Sequence, residues 1–220
     1  MSAPKPPPAP IRWLRTIRLV AYGLAALLAV GTGATLWLRH DAGIEQRLGG
    51  MAVPPSVSIG GPFTLTDHTG AAVTETSYRG RLMLIFFGFT HCPDVCPTEL
   101  QVIAEVLDAL GEDAARVAPL FVTVDPERDT PEALARYVEL FDPRIIGLTG
   151  TPEQIATVAR AYRVYYAKVH PPDATEYTMD HSSFVYLMDA EGRFAGLFRH
   201  GAPAAEIAAA IRAQLRRPGV

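Results

Sequence analysis

Cys92 and Cys96 are the two cysteines of a 220-residue chain, and both lie in the stretch Gly88-Phe89-Thr90-His91-Cys92-Pro93-Asp94-Val95-Cys96-Pro97. Their i, i+4 spacing would bring the sulfurs to one side of a helical turn, close enough to form a disulfide or to share a metal ion. A structural disulfide closing so small a loop would constrain little of the unfolded chain and would stabilise poorly. Thiol–disulfide exchange and metal binding are the two other readings. The spacing is not the two-residue separation of thioredoxin-like exchange motifs, which shifts weight toward metal. The position also suits chemistry. An apolar run ends at Phe89 and a helical stripe begins near Pro97, so the thiols lie where a strand gives way to a helix. Ligands of α/β sheets bind at such strand ends, and a helix N-terminus favours the thiolate.

Two thiolates leave most metals short of ligands. Zinc takes four, and the chain has no second cysteine pair. Copper(I) is soft, accepts low coordination numbers and is satisfied by two thiolates with one imidazole. Six histidines could supply the ring. His40 flanks an apolar segment, His68 lies in a turn, and His170 and His200 sit beside Pro- or Gly-containing stretches. His91 adjoins Cys92, but its ring must leave the cysteine side of the backbone for a neighbour to face the same ion. His181 follows the polar loop Pro171–Thr178 and precedes an apolar strand, at a strand entrance that can face the cysteines. By pattern alone His91 and His181 stand level.

The elements that would position these groups can be read from residue 63 onward. Short strands are predicted at Phe63–Leu65 and Ala71–Thr74 around the turn Asp67-His68-Thr69-Gly70. Leu82–Phe89 and Val117–Val124 are continuous apolar runs, as expected of strands covered on both faces. Pro97–Leu110 carries a helical stripe of Leu100, Ile103, Ala104, Leu107 and Leu110, stopped by Gly111. Thr130-Pro131 and Thr151-Pro152 each place a cap residue before a first-turn proline, starting helices that run to about Phe141 and Tyr162. Ile145–Leu148 reads as a strand and Val164–Val169 as extended. Phe184–Met188 and Phe194–Phe198 read as a hairpin around Asp189–Gly192, and Pro203–Leu215 as a closing helix. Strands alternating with helices, then a hairpin and a helix, predict a thioredoxin-like α/β sandwich.

The N-terminal part is physically different. The chain carries 20 Lys+Arg and 23 Asp+Glu, a net charge of −3 that argues against a nucleic-acid partner. Residues 1–40 hold five basic side chains and no acidic one, so the remainder balances at −8. Leu19–Leu38 is a twenty-residue run without a charge, long enough to span a bilayer as a helix, with Tyr22 and Trp37 near its ends. Arg12, Arg15 and Arg18 before it predict a cytoplasmic N-terminus and an exported remainder. A cleaved signal peptide is the alternative, but its apolar core is normally about 7–15 residues. The expected organisation is a Pro/Arg-rich cytoplasmic tail over 1–18, a single transmembrane helix over 19–38, a Gly/Pro-rich tether over 39–62 and one domain over 63–220.

FTHCPDVCPTEL, VTVDPERDTPE, GLTGT, ARAYRVYY and DHSSFVYLMDAEG together resemble the SCO/SenC family of copper-binding, thioredoxin-like proteins that assist cytochrome c oxidase assembly. The resemblance covers about residues 63 to 216 and includes the single N-terminal anchor. It implies that Cys92, Cys96 and His181 hold one copper ion, as copper(I) with copper(II) an alternative. It also implies delivery to the dinuclear copper site of a cytochrome c oxidase subunit, with a copper donor and a thiol reductant as further partners. Ligand exchange makes no net covalent reaction, so the expectation is a metallochaperone rather than an enzyme. The alternative is a thiol:disulfide oxidoreductase that uses Cys92 and Cys96 on the client's cysteines or as a redox sensor. Asp180 is a candidate to hydrogen-bond a ligand or orient the loop, with a plain strand-end turn aspartate as the equal alternative. Asp125–Pro131 is a candidate to form a wall of the site or a docking surface, with Asp129 or Thr130 capping the next helix as the plainer reading. The absence of an Arg/Ser-rich transit segment favours a bacterial inner membrane with the domain in the periplasm over a mitochondrial inner membrane.

Overall fold

The computed structural model describes Tyr22, Gly23, Leu28, Thr32, 58–172 and 175–217. The four N-terminal residues among these are helical, and the rest of the expected 19–38 span lies outside the described residues. Among the described residues no helix is long and apolar enough to cross a membrane.

Strands β1 (Thr64–Asp67) and β2 (Ala72–Thr74) form an antiparallel hairpin. Its turn is set by Asp67 Oδ1, which accepts from Thr69 N, Thr69 Oγ1 and Ala71 N, and by Gly70 at φ 87°. Strands β3 (Leu82–Gly88) and β4 (Val117–Thr123) are buried at every residue and pair in parallel, as continuous apolar runs require. Helix α1 (Val95–Leu110) connects them, and α2 (Pro131–Glu139) connects β4 to the parallel strand β5 (Ile146–Thr149). Helix α3 (Pro152–Ala161) follows. Thr130 Oγ1 caps α2 by accepting from Ala133 N, and Thr151 with Gln154 forms a reciprocal capping box on α3.

The chain then makes a separate two-stranded antiparallel sheet from β6 (Tyr166–Val169) and β7 (Thr178–His181). It returns to the main sheet through β8 (Phe184–Met188) and β9 (Phe194–Arg199), and ends in α4 (Ala204–Leu215), which packs on α1. The seven-stranded sheet has the order β2-β1-β5-β4-β3-β8-β9, with β3 and β4 near its centre.

Two differences from the sequence reading bear on the site. Helix α1 starts at Val95, two residues before the predicted Pro97, because proline fits in a first turn whose N–H groups have no helical acceptor. Strand β7 replaces the end of a predicted loop, so His181 is the last residue of a strand, paired with Tyr166, rather than the lead-in to β8.

Candidate metal centre

Cys92 lies in the loop after β3 and Cys96 in the first turn of α1, and both are free thiols. Helix α1 has no side-chain cap from Asp94. The Cys92 sulfur takes that place, accepting from Cys96 N at 3.4 Å. An N–H group that the helix leaves unpaired thus points at a sulfur, which favours its anionic form. Cys96 is fully buried, whereas Cys92 is half-buried.

His181 arrives from the opposite side. Its Nε2 lies 3.5 Å from Cys96 Sγ, and its Nδ1 lies 3.1 Å from the Ser182 carbonyl oxygen. A carbonyl only accepts, so Nδ1 carries the proton and Nε2 turns its lone pair toward the sulfurs. Phe89 meets the imidazole edge-on at 5.8 Å between centroids and Phe86 at 6.2 Å, which fixes the ring plane. The donor atoms of Cys92, Cys96 and His181 all lie within 4.8 Å of one another. Among the described residues this is the one group of three or more such side chains close enough to hold a metal ion.

The two thiols divide one proton unequally. A hydrogen bond from the Cys96 thiol drives the Cys92 pKa far down against the upward pull of burial, with the backbone N–H groups of Asp94 and Cys96 helping. Donating that bond, together with burial, pushes Cys96 up. Both causes favour the charge on the more accessible sulfur, Cys92, and the proton on the buried one, Cys96.

Sequence reasoning missed the part played by Gly88 and named Asp125–Pro131 only as a stretch. Gly88, the last residue of β3, has no room for a side chain: a Cβ there would lie 2.8 Å from Cys96 Sγ and 2.7 Å from Phe121 Cε2. A glycine ending an apolar strand just before the cysteines was the available signal. Asp129 is fully buried and accepts from Thr90 N at 3.1 Å, Thr90 Oγ1 at 2.6 Å and Thr123 Oγ1 at 2.5 Å, pinning the start of the cysteine loop to the end of β4. Burial pushes its carboxyl pKa up, and those three donors resist the rise.

The remaining candidates fall elsewhere. His91 is half-exposed, its Nδ1 3.0 Å from Thr90 Oγ1. His68 Nδ1 accepts from Gly147 N, and His200 pairs with the buried Glu99. Asp180 lies on β7 next to His181. Strand alternation puts it on the face of β7 opposite Met179 and His181, where it is exposed, and the Ser182 carbonyl holds the imidazole instead. Thr130 caps α2, which leaves Asp129 to the site.

A family profile described as SCO1/SenC matches residues 52–216. The human mitochondrial SCO1 homolog is 46% identical over 160 residues, which cover 72% of this chain and 53% of that one. The chain thus spans about half the length of that relative. The structure of Bradyrhizobium japonicum ScoI with copper bound is 52% identical with a TM-score of 0.66, covering 71% of this chain and 99% of the other. BsSco, described as a member of the Sco family of cytochrome c oxidase assembly proteins, has a TM-score of 0.58 over 74% of this chain and 96% of its own. At 23% identity it speaks for the fold alone. The solved relatives bear out the thioredoxin-like α/β fold expected from the order of elements.

Proposed function

Because the chain belongs to the SCO1/SenC family, we propose that it is a membrane-anchored copper metallochaperone that loads the dinuclear copper site of a cytochrome c oxidase subunit. The observation that carries the proposal is the donor set: two sulfurs and one imidazole nitrogen within 4.8 Å of one another. Two thiolates and a neutral imidazole are soft to borderline donors, and three of them match copper(I) while falling short of zinc's four. The related Bradyrhizobium protein holds copper. Copper is the cargo here, bound by Cys92, Cys96 and His181. Cys92, half-exposed and with its thiol pKa lowered, is the sulfur able to meet incoming metal first, and the buried Cys96, its pKa raised, then releases its proton as the second ligand.

The charge asymmetry and the apolar run 19–38 support an N-terminal anchor with a cytoplasmic tail and the domain 63–220 on the far side, reached through a tether over 39–62. A bacterial inner membrane facing the periplasm is the favoured setting. The test is metal stoichiometry of the reduced full-length chain. It should bind one copper(I). Cys92→Ser or Cys96→Ser should nearly abolish binding, because a hydroxyl is a hard, weak donor. His181→Ala should weaken binding yet leave a Cys92–Cys96 disulfide able to form. Wild-type affinity in His181→Ala, with loss in His91→Ala, would reject the ligand set.

One observation favours the second reading, a thiol:disulfide oxidoreductase: a low-pKa thiolate next to a resolving thiol is the arrangement that exchange chemistry uses. That activity needs both cysteines and not His181, so the His181→Ala variant separates the two roles.

A further inference from the structure

His181 is carried by a hairpin that is not part of the main sheet. Among the described residues strands β6 and β7 pair only with each other, and no ladder hydrogen bond joins them to the main sheet. The segment between β4 and α2, Asp125 to Asp129, grips both sides. At one end Asp129 holds Thr90 of the cysteine loop. At the other end lies a dense set of contacts to the hairpin. Asp125, 2% exposed, accepts from Tyr177 Oη at 2.9 Å and from Arg128 Nε at 2.5 Å. Arg128 Nη1 donates to the Tyr177 carbonyl at 3.1 Å, and its guanidinium stacks on the Tyr177 ring 3.8 Å from the centroid. Lys168 of β6 sits 4.2 Å over the same ring and bonds both carboxylate oxygens of Glu127 at 2.8 Å.

The two ends communicate through Thr123, whose Oγ1 accepts from Asp125 N at 2.9 Å and donates to Asp129 at 2.5 Å. A continuous chain of hydrogen bonds thus runs from Thr90 beside the cysteines to Tyr177, four residues before His181. Stability is a weak explanation for it. Arg128 buries an amino group, Nη2, that meets no acceptor, and a buried ion pair with an unsatisfied donor is a poor stabiliser. Position is the better one. A copper(I) ion held by both sulfurs gains a third ligand only if the imidazole nitrogen is held within reach of that same ion, and the groups behind a ligand set its position.

We propose that Arg128, with Tyr177 and Asp125, is a positioning latch that fixes the hairpin so that His181 stands opposite Cys92 and Cys96. This rests on the copper reading above, and the latch has a consequence that copper does not enter. Hydrogen exchange of the metal-free, reduced full-length chain is the first measurement. In Arg128→Ala, the amides of Tyr166–Val169 and Thr178–His181 should exchange faster while those of β3 and β4 stay as in the wild type. Unchanged exchange in the hairpin, or a parallel rise in every strand, overturns the proposal.

Copper(I) competition with a chelating dye is the second. Arg128→Ala should lower affinity by about 10- to 100-fold, the usual effect of removing a group that supports a ligand. In a His181→Ala background the same substitution should change affinity by less than about twofold, since the ligand it positions is gone. Equal losses in both backgrounds would mean a general weakening and would reject the latch. Arg128→Lys keeps the charge but loses the planar fork and the stack, and should recover only part of the affinity. Tyr177→Phe removes one hydroxyl and keeps the stack, so it serves if Arg128→Ala does not fold, with a smaller loss of the same sign expected and no loss counting against the latch. Failure of the unsubstituted chain to bind copper(I) would sink the copper reading, while the exchange measurement would still decide the latch.

Discussion

Gly88→Ala is a one-methyl perturbation aimed at the sulfur most deeply placed in the site. The added Cβ would stand 2.8 Å from Cys96 Sγ and 2.7 Å from Phe121 Cε2. Ordinary non-bonded contacts lie near 3.5–4.0 Å, so one or both neighbours must retreat by roughly an ångström. Phe121 is fully buried between Phe86 and Tyr137 and has no space to yield. The shift therefore falls on Cys96 and the first turn of α1. Overpacking of this kind costs about 1–3 kcal/mol, which for a domain of this size lowers the melting temperature by roughly 2–12 °C. Displacing this sulfur from its place beside Cys92 and His181 should also weaken copper(I) binding by about tenfold or more, as displacing a ligand's support does. The assay pairs thermal unfolding of the reduced, metal-free chain with chelator competition for copper(I). Gly196→Ala is the control, because the nearest atoms to a Cβ there are 3.8 Å away. If Gly88→Ala keeps both the melting temperature and the copper affinity of the wild type, the close approach of β3 to Cys96 does not shape the site. Equal damage from Gly196→Ala would point to the sheet in general.

Proton balance gives a second expectation: with the Cys92 pKa lowered and that of Cys96 raised, loading copper(I) displaces one proton, so affinity should rise about tenfold per pH unit between about pH 7.5 and 9. A slope near zero or near two in a titration at several pH values would contradict that division of the proton. Copper loading and disulfide formation should exclude each other, because a Cys92–Cys96 bond gives up two electrons to the oxidant and leaves neither sulfur a thiolate. Thiol counts and bound metal followed together under a disulfide oxidant should fall in step, and prior copper should slow both; full retention of metal in the oxidised form would place the copper elsewhere. A reporter active only in the cytoplasm should work when fused before Arg12 and fail when fused after Val220, and activity at both ends would remove the anchor.

The sequence was sufficient wherever the cause is local. Continuous apolar runs announce β3 and β4, Thr-Pro pairs announce the starts of α2 and α3, and Asp67 with Gly70 announces a turn, because each depends on residues within a few positions of one another. The cysteine stretch was legible for the same reason. So was the charge division between the first forty residues and the rest. Residue pattern alone left His91 and His181 level, and the family resemblance chose between them.

Tertiary structure decided what lies far apart along the chain. His181 stands 85 residues from Cys96, and no local pattern encodes their 3.5 Å approach. Strand β7 was hidden because it is short and polar and pairs outside the main sheet, so it lacks the apolar alternation that marks a half-buried strand. That strand in turn sets the alternation that faces Asp180 away from the imidazole and leaves the Ser182 carbonyl to hold it. The sequence left Asp129 between a wall of the site and a helix cap, and its burial and three donors tie it to Thr90, 39 residues earlier. Spacing shows that two thiols can meet. The tertiary packing of a separate hairpin beside the β4–α2 segment brings His181 to them, because a short-range code cannot specify a distance set by side chains from four different parts of the chain.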